Sequence, residues 1–122
     1  MDNGKPMREI QAEIIEWSTR NFGEVPNSQI SVRISSFLGM VEEVGEIAHA
    51  VLKMGQGIRG TEEEHQDAIS DGIADLLVYT LDFCARNDRD AQQLLEDVWA
   101  KVKRRDWQKN KLTGREAQSG LT

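Results

Sequence analysis

A single cysteine, Cys84, and only two prolines occur among the 122 residues. One thiol cannot close an intrachain disulfide, so packing alone has to hold the fold, and a reducing compartment is the natural home. The opening stretch MDNGKPMREIQAEIIEW lacks the apolar core and small-residue cleavage site of a signal peptide. No apolar run approaches the ~20 residues that a bilayer demands. No membrane segment is expected, and the cytoplasm is the expected location. There is no repeat at a period of 20–50 residues and no low-complexity tract. Alternation with period 2 is also missing over any useful length, which excludes a sheet. Excess positive charge is lacking too, since the net charge is −6. Residues 101–122 carry seven basic side chains against two acidic ones, a local net of +5, which leaves −11 on the first hundred. Such an acidic body repels nucleic-acid phosphates and excludes a general nucleic-acid binder. A small polyanion held through divalent cations remains compatible, because the cations reverse the local field.

What is present is helical periodicity. Met7, Ile10, Ile14 and Trp17 recur at steps of 3 and 4 and predict a helix over about residues 5–21. Gly23 and Pro26 break it, and Asn27 or Ser28 can cap the next. Ile30, Ile34, Phe37, Val41, Val44, Ala48 and Val51 form one seam of a long amphipathic helix over about 29–54. A third helix, about 62–86, starts acidic and is almost wholly apolar from Ile73 to Ala85. A fourth, about 90–107, is expected to bury Ala91, Leu94, Leu95, Val98, Trp99 and Val102. The expected architecture is therefore all-α: a four-helix bundle in one domain over 1–112, with a polar, flexible tail over 113–122. A helix apolar on most sides needs cover all round. That requirement predicts a homo-oligomer, a dimer or tetramer, completing the bundle.

Between the second and third helices lies GQGIRG, with Gly55, Gly57 and Gly60 at the spacing of a dinucleotide-binding loop. That fingerprint requires a preceding strand within a βαβ unit, and here a long helix precedes it. A phosphate-binding P-loop fails as well, for lack of a Gly-Lys-Ser/Thr ending. The stretch reads as a helix end with Gly55 in the left-handed capping position, followed by a mobile connection. His65 reads as an exposed first-turn residue and Cys84 as core.

The carboxylates on either side carry more chemistry. In VEEVGEIAHAVLK, Glu42, Glu43 and Glu46 share a helical face at spacings of 3 and 4. Like charges so close repel, whereas hard divalent cations require several such oxygens. On the third helix Asp67, Asp71 and Asp75 step by four, and Tyr79 and Asp82 continue the line. Asp75 lies within the most apolar run, where a carboxylate needs either a basic partner or a shared metal. Two antiparallel helices joined by a short connection would bring the acidic faces together. A solvated acidic face is the plain alternative for the glutamates. Glu46-x-x-His49 and Glu62-x-x-His65 match the pairs of di-iron bundles, but that site also needs glutamates from two further helices.

VEEVGEIAHAV followed by DGIADLLVYTLDF resembles the MazG-like, all-α nucleoside triphosphate pyrophosphohydrolases, whose hallmark is EExxE on one helix and ExxD on the next. The resemblance spans about residues 8–107 and includes the closing KVKRRDW. Glu42, Glu43 and Glu46 match the first motif and Asp75 the aspartate of the second, whereas Gly72 stands where the family has glutamate. Asp71 is the candidate to take over that ligand role. The resemblance implies hydrolysis of a (deoxy)nucleoside triphosphate to monophosphate and pyrophosphate, in the service of nucleotide-pool housecleaning. It implies Mg²⁺, or Mn²⁺ in its place, on Glu43, Glu46, Asp75 and Asp71. Glu42 would be a further ligand or the general base. Lys53, Arg59, Lys101, Arg104 and Arg105 are candidate phosphate contacts, and Trp17, Phe37 and Tyr79 candidate base contacts. A catalytically silent helical interaction module is the rival that Gly72 favours.

Overall fold

The computed structural model describes residues 4–23 and 30–116, with side chains from residue 34 onward in the second segment. The expected break at Pro26, the caps Asn27 and Ser28, and residues 117–122 lie outside the described residues. The described residues form four helices: α1 (Met7–Phe22), α2 (Ile30–Gln56), α3 (Glu62–Arg86) and α4 (Ala91–Val102). No strand occurs among the described residues. The chain divides into two compact units, Met1–Ala91 and Gln92–Thr122.

In the first unit α2 and α3 form a helical hairpin and α1 packs on α3. The hairpin loop is built by backbone chemistry. Gly57, at φ 69°, ends α2. The Ile58 amide reaches the Lys53 carbonyl at 3.2 Å, and the Gly57 amide reaches Met54 at 3.1 Å. These two bonds make a Schellman ending, which satisfies carbonyls left over at a helix terminus. The capping glycine is thus Gly57 rather than the expected Gly55, which is helical. Thr61 then opens α3 by accepting from the Glu64 amide at 3.1 Å. Glu62, Glu63 and Glu64 occupy the first turn, where the helix dipole favours negative charge. His65 is buried, not exposed, because its Nε2 meets the Ile58 carbonyl at 2.9 Å and ties the loop back onto α3.

The face that α2 turns toward α3 differs from the predicted seam. Ser36, Glu43 and Ala50 are buried, with Gly39 and Ile47 between them, whereas Phe37, Val41, Val44 and Val51 are exposed. Small residues set this choice. At Gly39 a Cβ would fall 2.3 Å from Tyr79 Cε1, and at Gly72 it would fall 2.6 Å from Ile47 Cγ1. Side chains of the opposite helix occupy the space that any larger residue would need, so the helices approach closely there. Buried apolar residues in the described chain are few, Ala50 and Leu81. On α3, Ile73, Leu77 and Val78 remain exposed.

At the base of the unit, Arg8 Nε pairs with Asp90 at 2.6 Å. Gln11 donates to the Arg89 carbonyl at 2.7 Å and accepts from the Ala91 amide at 2.9 Å. In the second unit α4 stops at Val102, short of the expected 107, and Leu94, Leu95, Val98, Trp99 and Val102 are exposed rather than buried. Arg104 and Arg105 bond back three residues, to Lys101 and Val102, and tighten the chain out of the helix. Asp106 organises the turns beyond: its Oδ1 accepts from the amides of Gln108 and Lys109, both at 3.0 Å, and its amide donates to the Gly114 carbonyl at 2.6 Å. Gly114 is buried against Trp107.

Candidate metal centre and cleft

Helical spacing puts Glu42, Glu43 and Glu46 on adjoining positions of α2, and one ligand oxygen from each lies within 4.8 Å of the others. Their burial differs. Glu43 sits on the α3-facing side and is 7% exposed, while Glu42 and Glu46 face outward. Glu43 Oε2 is buried and has no hydrogen-bond partner among the described residues. Burial pushes the Glu43 carboxyl above its ordinary value, and the charges of Glu46, Asp75 and Glu42 push it in the same direction, with a hydrogen bond from Glu46 adding to them. Asp75, from α3, is therefore close enough to act electrostatically on the α2 glutamates. It is itself exposed rather than embedded among apolar side chains, and among the described residues it has no ion pair with an arginine or lysine. The carboxylate that α3 does bury beside a base is Asp82.

Tyr79, one turn beyond Asp75, lies against Gly39 and close to the same group. Burial raises its phenol pKa, and Glu42, Glu43, Asp75 and Glu46 raise it further. Three glutamates thus cluster, one of them buried and unsatisfied, and Asp75 lines the cleft beside them. Like charges this close repel unless a proton or a cation lies between them. Hard oxygen donors in this number, with an orphaned buried oxygen among them, fit a divalent cation of the Mg²⁺ or Mn²⁺ type.

A cleft of about 430 Å³ opens beside the cluster. Glu43, Asp75 and Tyr79 line it together with Trp17 and Phe22 of α1, Ser36 of α2, and Asp82 and Arg86 of α3. Trp17 and Phe22 meet edge to face at 5.6 Å. Arg86 is 6% exposed and fully engaged: Nε donates to Asp82 Oδ2 at 3.1 Å, a terminal nitrogen donates to the Gly23 carbonyl at 3.2 Å, and the other donates to the Ser18 hydroxyl.

Of the residues singled out by sequence, the structure brings together Glu42, Glu43, Glu46, Asp75, Tyr79 and Trp17. Asp71 is exposed, does not line the cleft, and is not among the charges that act on Glu43 or Tyr79. The glutamate missing at Gly72 has no room to return, since Ile47 fills that space. Phe37 stacks on Phe83 at 5.8 Å instead of entering the cleft. Lys53 donates to Gln56, and Arg59 stands in the loop beyond the end of α2, which lies ten residues, about 15 Å along the axis, from Glu46. Lys101, Arg104 and Arg105 belong to the second unit, where Arg105 lies 5.9 Å from the Trp107 ring. Sequence reasoning missed Ser18, Ser36 and Arg86. Two signals pointed to them: hydroxyls at helix-interior positions, and the i, i+4 pair Asp82 and Arg86 inside an apolar run.

No helix among the described residues is long and apolar enough to cross a membrane. Neither the curated proteins nor the solved structures contain a match to the chain. The family model described as the MazG nucleotide pyrophosphohydrolase domain does match, over residues 34–109. That span contains the whole α2–α3 hairpin from Ile34 onward, with Glu42, Glu43, Glu46 and Asp75, and the chain belongs to the MazG nucleotide pyrophosphohydrolase domain family.

Proposed function

We propose that the protein hydrolyses a (deoxy)nucleoside triphosphate to the monophosphate and pyrophosphate, as a Mg²⁺-dependent, cytoplasmic housecleaning enzyme. The observation that carries this reading is Glu43: a carboxylate buried among three others, with one oxygen left unsatisfied. Glu43, Glu46 and Asp75 are the residues that would hold the cation. When bound, the metal supplies neutralisation of the phosphate charge and Lewis-acid polarisation of the α-phosphate.

The protein's own residues supply the rest. Glu42 is exposed beside the cluster and takes the proton from an attacking water. The water oxygen bonds to the α-phosphorus, the bond from that phosphorus to the bridging oxygen breaks, and pyrophosphate leaves with the electron pair. The cleft flanked by Trp17, Phe22 and Tyr79 receives the nucleoside and keeps bulk water from one side of it. The substitution at Gly72 removes a carboxylate without inserting anything into the cluster, because the vacated space belongs to Ile47. Three ligands and a base therefore remain on this chain.

The test is a panel of ribo- and deoxyribonucleoside triphosphates, incubated with Mg²⁺ and followed by pyrophosphate release. Release that is abolished by EDTA, and reduced roughly 100-fold or more in Glu46→Ala, is the expected result. Release from no substrate, with Glu46→Ala melting like the parent at every Mg²⁺ concentration, would leave the silent interaction module as the correct description.

A further inference from the structure

The α2–α3 hairpin carries a second pair of facing polar groups. Ser36 lies two turns before Glu43 on α2, and Asp82 lies two turns after Asp75 on α3. The helices run antiparallel, with Ile47 against Gly72 and Gly39 against Tyr79, so Ser36 and Asp82 come to the same level of the cleft. That level is about 10 Å along the axis from the carboxylate cluster. A nucleoside, sugar plus base, spans such a distance from its α-phosphate.

Both groups are buried, Ser36 to 3% exposure and Asp82 to 8%. Ser36 Oγ and Asp82 Oδ1 have no hydrogen-bond partner among the described residues, and both residues line the cleft. Asp82 cannot turn away to satisfy Oδ1, because Arg86 holds its other oxygen at 3.1 Å and is itself fixed by Ser18 and the Gly23 carbonyl. Buried polar atoms without partners cost stability, and a rigid, unsatisfied acceptor at the end of a ligand cleft is a place where a ligand donor gains most. Trp17 and Phe22 add exposed ring surface along the approach.

We propose that Asp82 Oδ1 and Ser36 Oγ read the nucleobase and select one with an exocyclic amino group (cytosine, adenine or guanine) over uracil or thymine. The amino group donates to Asp82, and the Ser36 hydroxyl, which can donate or accept, meets the neighbouring ring nitrogen or carbonyl. Uracil and thymine put a carbonyl where the amine would be. Their ring N–H can reach the carboxylate only with a carbonyl oxygen on each side of it, which brings lone pairs against a buried anion. The proposal rests on the reading of the carboxylate cluster as the phosphate end of the site.

Two arms test it. The first compares kcat/KM for dCTP, dUTP and the triphosphate of 2-pyrimidinone deoxynucleoside, which is cytosine without its amino group. The second measures metal-free binding of dCMP, dAMP, dUMP and dTMP by calorimetry. The expected result is a preference of roughly 10- to 100-fold for the amino-bearing base in both arms, the range for a hydrogen bond to a charged group. Asp82→Asn, whose amide can donate to a carbonyl, should narrow the preference for dCTP over dUTP to about 3-fold or less through KM. Should Asp82→Asn fail to fold, Ser36→Ala and the pyrimidinone substrate on the parent chain still decide. Equal kcat/KM for dCTP and the pyrimidinone substrate, or equal binding of dCMP and dUMP, overturns the proposal. Absence of pyrophosphate release alongside selective monophosphate binding overturns the hydrolytic reading and supports base selection.

Discussion

Glu43 sets burial against charge. Its folded-state pKa lies above the unfolded value, chiefly through burial and then through Glu46, Asp75 and Glu42. A carboxyl raised in this way favours the folded state while protonated. That contribution is complete below the ordinary carboxylate value of about 4.3 and is lost as the pH climbs through the raised one. Above that raised value the metal-free protein carries the strain of an ionised, buried Glu43. Glu43→Gln is expected to melt at a higher temperature than the parent in EDTA at pH 7, and the difference should shrink as the pH falls toward 4. The same variant should lose the melting-temperature gain that Mg²⁺ gives the parent, together with roughly 100-fold or more of activity. Thermal denaturation over pH 4–8, with and without Mg²⁺, measures both. A variant less stable than the parent at pH 7 in EDTA would mean that Glu43 is satisfied in the folded chain.

Helix existence was legible in the sequence, but which face each helix turns inward was not. The span predicted for α3 is the one observed, because Thr61 and the acidic first turn mark its start and the apolar run continues to its end. The α2 seam of Phe37, Val41, Val44 and Val51 has sound helical periodicity, yet its valines stay exposed, while Phe37, itself half-exposed, meets Phe83 of α3. Periodicity reports that a face is apolar and says nothing about which partner covers it. The inward face was chosen by close approach at Gly39 and Gly72, a signal carried by two missing side chains. The carboxylate cluster was legible because its spacing is local. The Ser36 and Asp82 pair was not, because it depends on the register between helices. Gly72 puts that register to the test. Ala is the better helix former by about 1 kcal/mol, but at this position its Cβ meets Ile47 Cγ1 at 2.6 Å. Overpacking of this kind costs about 1–3 kcal/mol, so Gly72→Ala should lower stability in spite of its propensity. Combining it with Ile47→Ala should make the pair strongly non-additive, since the second change empties the space that the first one fills. Urea denaturation of the four proteins in the cycle gives the coupling. Additive effects would separate Gly72 from Ile47 and remove the close crossing.

At the scale of the whole molecule, the chain leaves many large apolar side chains exposed. Val41 and Val44 of α2 are 55% and 53% exposed, and Leu77 of α3 is 52% exposed. Two of the described hydrophobic residues are buried, and a soluble monomer seldom exposes contiguous apolar faces on that scale. The expectation of a homo-oligomer gives that seam a partner. A second copy of the chain can supply it through a two-fold contact in which the α2 seams face each other. Each valine buried there contributes about 1.5 kcal/mol or more, so several together exceed the entropy lost on association. The expected outcome in sedimentation equilibrium at micromolar concentration is a dimer or tetramer. Val44→Glu should shift it toward monomer, because the interface would have to bury two unpaired carboxylates per dimer. The same variant should lower the melting temperature and make it depend less on protein concentration, as mass action requires once folding is uncoupled from association. A parent that sediments as a monomer, with a melting temperature indifferent to concentration, would show instead that the seam is tolerated in water.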